Sequence, residues 1–243
     1  MTMYRTFAYI ERDLIRWYRS PLNIISTLAM PAAWLIFVGL IMPVKYDNYL
    51  DFVTPGILIL TMMTAGLAAG SSIMFDKTLG YLNKFLALPA PRESILVGKI
   101  LFITLRGLLQ TTVILIIAIL IGATIQSFIC YVAIYLVLFL FGVMMSALGS
   151  TVALYLNDHD TYAAFQGMVS MPLYFASTAL IPYDQMPEAL KVVSTLNPLT
   201  YAIEAIRDLA AGNFPLMEIC VLLVLSTVIV LICAHKFRKV TIQ

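Results

Sequence analysis

Apolar runs close to 20 residues long recur from Leu22 to Ala234, with only short polar breaks between them. A helix needs about 20 such residues to cross roughly 30 Å of hydrocarbon, and in lipid every backbone N–H and C=O must be satisfied internally. The pattern therefore predicts an all-α, polytopic membrane protein with about six transmembrane helices, at 22–42, 52–75, 100–121, 128–156, 161–181 and 216–234. No remaining segment is long enough for a separate soluble domain. Residues 1–243 read as one transmembrane domain with an N-terminal interfacial segment (1–21), an inner loop (76–99) and an outer segment (182–215). Only 12% of residues are charged, against about 25% in soluble domains. The first apolar run follows a charged segment and is too long for a signal core, so no cleavable signal peptide is expected.

The formal charge of +2 gives no reason to expect a nucleic-acid partner; what matters is where the basic residues sit. With the N-terminus inside, the inner segments hold Arg5, Arg12, Arg16, Arg19, Lys77, Lys84, Arg92, Lys99, Lys236, Arg238 and Lys239, and the outer ones Lys45, Lys191 and Arg207. Eleven against three, by the positive-inside rule, predicts a multi-pass protein of the cell membrane with both termini cytoplasmic. Ahead of the first span, Phe7, Ile10, Leu14, Trp17 and Tyr18 share one helical face and Arg5, Arg12, Arg16 and Arg19 the opposite one. Such a helix lies along the inner interface until Ser20 and Pro21 turn the chain inward. Glu11, on the flank of the apolar face, either pairs with a partner protein or reaches into headgroups.

Within the spans, Gly66 and Gly70, continued by Ser71 and Ser72, and Ser146, Gly149 and Ser150 mark helices built for close neighbours. No span has an acid near its centre, where a proton- or sodium-driven carrier usually needs one. Arg106 lies about seven residues beyond Lys99, roughly 10 Å deep; it either snorkels to the inner interface or lines a cavity with Gln110 one turn further on. Gly98-Lys99 is followed by Ile100 and preceded by no glycine-rich phosphate loop, and His159 and His235 belong to no catalytic pattern, so the chain is not expected to be an enzyme. Asn157-Asp158-His159-Asp160 reads as a polar turn rather than a metal site, with Asp160 and Thr161 capping the next helix. Cys130, Cys220 and Cys233 read as packing residues. Any driving energy must then come from another chain. In the loop after the second span, Leu79, Leu82, Phe85 and Leu86 recur at helical spacing, Pro89 stops that helix and Pro91 can start the next. An apolar ridge between basic residues suits a groove on a partner; an interfacial helix lying in lipid has the same pattern. Before the last span, Asn197 can cap a helix with Pro198 first in it, Leu199, Ile203, Ile206 and Leu209 form a stripe, and Gly212 ends it. Too short to span, this helix would hold Glu204, Arg207 and Asp208 at the outer interface as a gate or as a structural cap.

Phe75-Asp76-Lys77, Gly80, Leu82, Pro89, Arg92 and Gly98-Lys99 resemble the loop pattern of the ABC-2-type permeases, membrane subunits of drug-resistance, lipo-oligosaccharide and polysaccharide exporters. Tyr49-Leu50-Asp51-Phe52-Val53-Thr54-Pro55-Gly56 resembles that family's approach to the second span. Ile181-Pro182, Met186-Pro187 and Asn197-Pro198-Leu199-Thr200-Tyr201-Ala202 with Arg207 resemble its signature before the last one.

The resemblance implies a permease that pairs with a second copy or a paralogue, as homodimer or heterodimer, above two separate cytoplasmic ABC ATPase subunits. ATP and Mg would bind to those subunits, with no cofactor on this chain. It implies an ATPase-coupling interface at Asp76, Lys77, Leu79, Gly80, Leu82, Asn83, Phe85, Leu86, Pro89 and Arg92, where Asn83 departs from the Glu of many members. It also implies an elbow helix, containing Glu11, Arg12, Arg16, Trp17 and Arg19, that meets the ATPase. The implied function is outward movement of a hydrophobic or amphipathic drug, lipid or glycoconjugate; the alternative is an ATP-independent assembly or channel-forming protein. Trp34, Phe37, Tyr174 and Phe175 contact either such a substrate or neighbouring helices.

Overall fold

The computed structural model describes residues 11, 13–15, 17–41, 49–81, 92–123 and 128–239, with the backbone alone at 39–41, 92, 93 and 128. Among these residues the regular structure is entirely helical. Residues 11, 13–15, 17 and 18 are helical and precede α1 (Pro21–Ile41), which Pro21 opens at the position where a missing N–H costs nothing. Then follow α2 (Tyr49–Thr78), α3 (Arg92–Ile121), α4 (Phe128–Tyr155), α5 (His159–Phe175), α6 (Glu188–Leu196), α7 (Pro198–Ala210) and α8 (Leu216–Arg238), with a 3₁₀ turn at Tyr183–Gln185. Among the described residues five helices, α1, α2, α3, α4 and α8, are long and apolar enough to cross a membrane.

Two boundaries and one cap depart most from expectation. The third span was expected from residue 100, but α3 begins at Arg92, so the tail of the expected 76–99 loop is helix and Arg92 is its first residue. The expected 161–181 span is a 17-residue helix ending at Phe175, followed by turns to Ile181. At about 25 Å the helix alone falls short of the hydrocarbon thickness. Pro172 cannot bond back to Met168, and the Ser177 hydroxyl donates to Tyr174 O at 2.6 Å and accepts from Ala179 N at 3.3 Å, so the chain leaves the helix with its polar groups engaged. The cap of α5 is Asp158 rather than Asp160: its carboxylate accepts from Thr161 N at 2.7 Å and the Thr161 hydroxyl at 2.6 Å, which holds it below the usual carboxylate range.

The organising element is α2: 78% of its most apolar 18-residue stretch is buried, against 17% of the corresponding stretches of α1 and α8. It packs most extensively on α4, then on α3, and also on α1, α5 and α7; α8 packs on α4, α7 and α3. The small residues explain the α2–α4 contact. A Cβ on Gly66 would stand 2.6 Å from Met145 Cβ, and one on Gly70 would stand 2.4 Å from Gly149 O and 2.2 Å from the Tyr162 ring. Tyr162 of α5 fills the gap that Gly70 leaves and donates its buried hydroxyl to Leu67 O at 2.6 Å. With lipid tails as apolar as any side chain, such close dispersion contact and buried hydrogen bonds hold the helices together.

Candidate functional site

A cavity of about 240 Å³ lies among α1, α2, α3 and α5. Its wall is apolar at Met30, Pro31, Trp34, Leu60, Ala65, Ala68 and Met171, and polar at Thr27, Thr64, Arg106, Gln110 and Gln166. The sequence named Arg106 and Gln110 together, and both line it. Gln110 Nε2 donates to Thr27 Oγ1 at 2.7 Å, one turn before Pro31, where the α1 ladder lacks an N–H. Arg106 Nε is buried without a hydrogen-bond partner, and the guanidinium lies 5.8 Å from the Trp17 ring centroid. An ionised side chain at a helix centre costs about 2.5–3.5 kcal/mol on insertion scales, so its place on a cavity is functionally informative. Of the aromatics singled out, Trp34 lines the cavity, Tyr174 is buried in the core, and Phe37 and Phe175 are exposed. Sequence reasoning missed Thr27, Thr64 and Gln166; their only signal was a polar side chain within an apolar run.

At the basic end of the bundle, Lys99 is buried. Its ammonium donates to Asp76 Oδ2, to Ser72 O at 3.3 Å and to Ser72 Oγ at 3.2 Å, which engages its three donors. The next residue, Lys77, donates to Leu156 O at 2.7 Å and Asn157 Oδ1 at 3.4 Å, capping the α4 carbonyl end. Phe75 packs on His159 with ring centroids 4.3 Å apart. Asp76 and Lys77 thus tie the end of α2 to α3, α4 and the α4–α5 turn. Beyond them Leu79 is 61% exposed, and Gly80, at φ +69°, takes the left-handed conformation that ends the helix. Leu82, Asn83, Phe85, Leu86 and Pro89 lie outside the described residues. Of the elbow residues, Arg12 and Arg16 also lie outside them; Glu11 and Arg19 are exposed, and Trp17 packs with Leu14 against Ala69, Phe102 and Ile103. This segment therefore packs on α2 and α3.

The opposite end is closed by α7, whose Leu199, Ile203, Ile206 and Leu209 are at most 3% exposed. Asn197 accepts from Leu199 N at 3.0 Å and donates from Nδ2 to Leu173 O at 2.6 Å, so one cap fixes both α7 and α5. Pro198 is the first residue of α7, and Tyr201 donates to Thr195 O at 2.8 Å. Arg207 pairs with Glu204 at 2.6 Å, donates to Phe52 O at 3.2 Å and Thr178 O at 3.1 Å, and lies over the Phe52 ring at 3.9 Å. The non-helical backbone after α5 is thereby satisfied from α7, as irregular backbone buried in a bundle must be. Next to it, burial and the nearby Glu218 and Glu204 raise the Asp208 carboxyl above the usual range. The arrangement is that of a cap joining α2, α5 and α7.

The family described as ABC-2 type transporter matches residues 4–210. The putative transport permease ycf38 of Cyanophora paradoxa is 34% identical over 211 residues, covering 84% of this chain and 73% of that protein. The probable doxorubicin resistance ABC transporter permease protein DrrC of Mycobacterium tuberculosis is 25% identical over 239 residues, covering 95% and 85%. Nodulation protein J of Rhizobium leguminosarum bv. viciae is 26% identical over 221 residues, covering 88% and 84%.

Proposed function

The chain belongs to the ABC-2 type transporter family, and on that premise we propose that it is the permease subunit of an ATP-driven exporter whose ATP is hydrolysed by separate cytoplasmic subunits. In this reading it works as a pair, with a second copy or a paralogue, in the cell membrane with both termini inside. It moves a hydrophobic or amphipathic substrate outward.

The observation that carries the reading is the continuity of α2. The helix lines the cavity at Leu60, Thr64, Ala65 and Ala68 and runs unbroken to Thr78, where the expected coupling loop leaves it. From Thr64 to Thr78 is about 21 Å of rigid helix. Asp76 and Lys77 join its end to α3 and α4, so a force on the loop reaches three helices at once. An ATP-independent assembly has no use for such a rod and loop, and membership of a transporter family weighs against it.

A tagged chain extracted from its native membrane should bring an ATP-hydrolysing subunit with it. Leu82→Asp combined with Phe85→Asp places carboxylates on the ridge that must be dry when docked. That variant should reach the membrane at normal levels yet lose the ATPase and export. Full retention of both would remove the loop as the coupling element.

A further inference from the structure

We propose that the cavity among α1, α2, α3 and α5 binds amphipaths with an anionic head group, the head held by Arg106 and the tail lying along Trp34, Leu60 and Met171. The inference rests on the exporter reading in that it assigns the substrate class. Three observations carry it.

The first is chemical. A guanidinium only donates hydrogen bonds, and Arg106 Nε is buried with no acceptor; among the described residues no carboxylate pairs with this side chain. Gln110 is engaged by Thr27, so Arg106 is the charged group that the cavity offers. Its complement is an acceptor-rich anion, a phosphate or a carboxylate. The second is positional. Trp17 of the N-terminal segment covers the guanidinium at 5.8 Å, which keeps the head group's partner on the cavity wall. The third is shape. Met30 and Met171, 57% and 38% exposed, form the rim, so the cavity opens on the outer flank of the chain between α1 and α5. Its volume of about 240 Å³ is below the roughly 300–1,000 Å³ of drug-sized pockets. It accommodates a head and the first part of a tail, and the remaining tail passes over the rim into hydrocarbon.

The chain has two tryptophans, so Trp17→Phe, which keeps an aromatic ring over the Arg106 guanidinium, leaves Trp34, on the cavity wall, as the fluorescent reporter. The full-length variant is placed in phosphatidylcholine nanodiscs with graded fractions of brominated-tail phosphatidylglycerol or brominated-tail phosphatidylcholine. Phosphatidylglycerol should half-quench Trp34 at about tenfold lower mole fraction, the size of a charge-assisted hydrogen bond. Arg106→Gln should close that gap and Arg106→Lys should keep part of it. Equal quenching by the two lipids in the Arg106 protein, or a gap that survives Arg106→Gln, overturns the proposal. Relief of quenching by millimolar inorganic phosphate would reveal a site for a free anion and overturn the amphipath assignment. Binding is read without any ATPase. Loss of the lipid preference in a chain that still recruits its ATPase therefore defeats this inference alone, whereas a preference in a chain that recruits none defeats the exporter reading alone.

Discussion

At Gly70 a single hydrogen atom decides whether α2 can meet both α4 and α5, because a methyl there would overlap the Tyr162 ring and the Gly149 carbonyl. Gly70→Ala should lower the thermal midpoint in detergent by an amount corresponding to about 1–3 kcal/mol, the usual cost of overpacking. Gly167, with nothing near its missing Cβ, serves as the control and should tolerate Ala with little change. Asp208 predicts the opposite sign. Its carboxyl is raised by burial and by Glu218 and Glu204, so the fold favours its protonated form. Its contribution is intact below the unfolded carboxylate pKa, about 3.9, and is lost as pH rises through the higher folded value. Asp208→Asn should therefore raise the thermal midpoint at neutral pH, and the gain should vanish in acid. A midpoint gain that is the same at both pH values would contradict the assigned cause.

Among the elements, the long helices were legible in the sequence because hydrocarbon thickness imposes a length that composition alone reveals; α1, α4 and the start of α8 fall within a residue of expectation. The close-packing faces of α2 and α4 were legible in Gly66, Gly70 and Gly149, though not that they meet each other, and the Asn197-Pro198 opening of α7 was legible in cap chemistry. What the sequence hid depends on contacts across the chain. Lys99 reads as a loop charge in one dimension and becomes buried when α3 begins early and Asp76 faces it. The shortened α5 depends on Arg207, some 30 residues later, to satisfy Thr178 O. The Asp76–Lys99 pair supplies a test at this scale. Asp76→Leu leaves a buried ammonium short of its counter-ion and should cost about 3–5 kcal/mol, whereas adding Lys99→Met should recover most of the loss. If the pair also transmits force from the loop, the double variant regains thermal stability but not export. A double variant no more stable than the single one would contradict the pairing.

In the whole molecule a rigid helix joins a cavity at its middle to a loop at its end, and the proposed function requires ATP hydrolysed elsewhere to change which side that cavity faces. The frame itself is open to a topological check: reporters after Gln243 and near Asp184 should register on opposite sides of the membrane, since α8 is the helix between them that is long and apolar enough to cross. The most direct measurement uses Thr64→Cys on the cavity wall, in a chain whose Cys130, Cys220 and Cys233 are replaced, held in sealed vesicles with its co-purified ATPase. Labelling by a membrane-impermeant thiol reagent is followed from each side, with and without ATP and vanadate. The account predicts that trapping the nucleotide state moves access to Cys at position 64 from the inner side to the outer. Access that stays on one side while the ATPase turns over normally would contradict it.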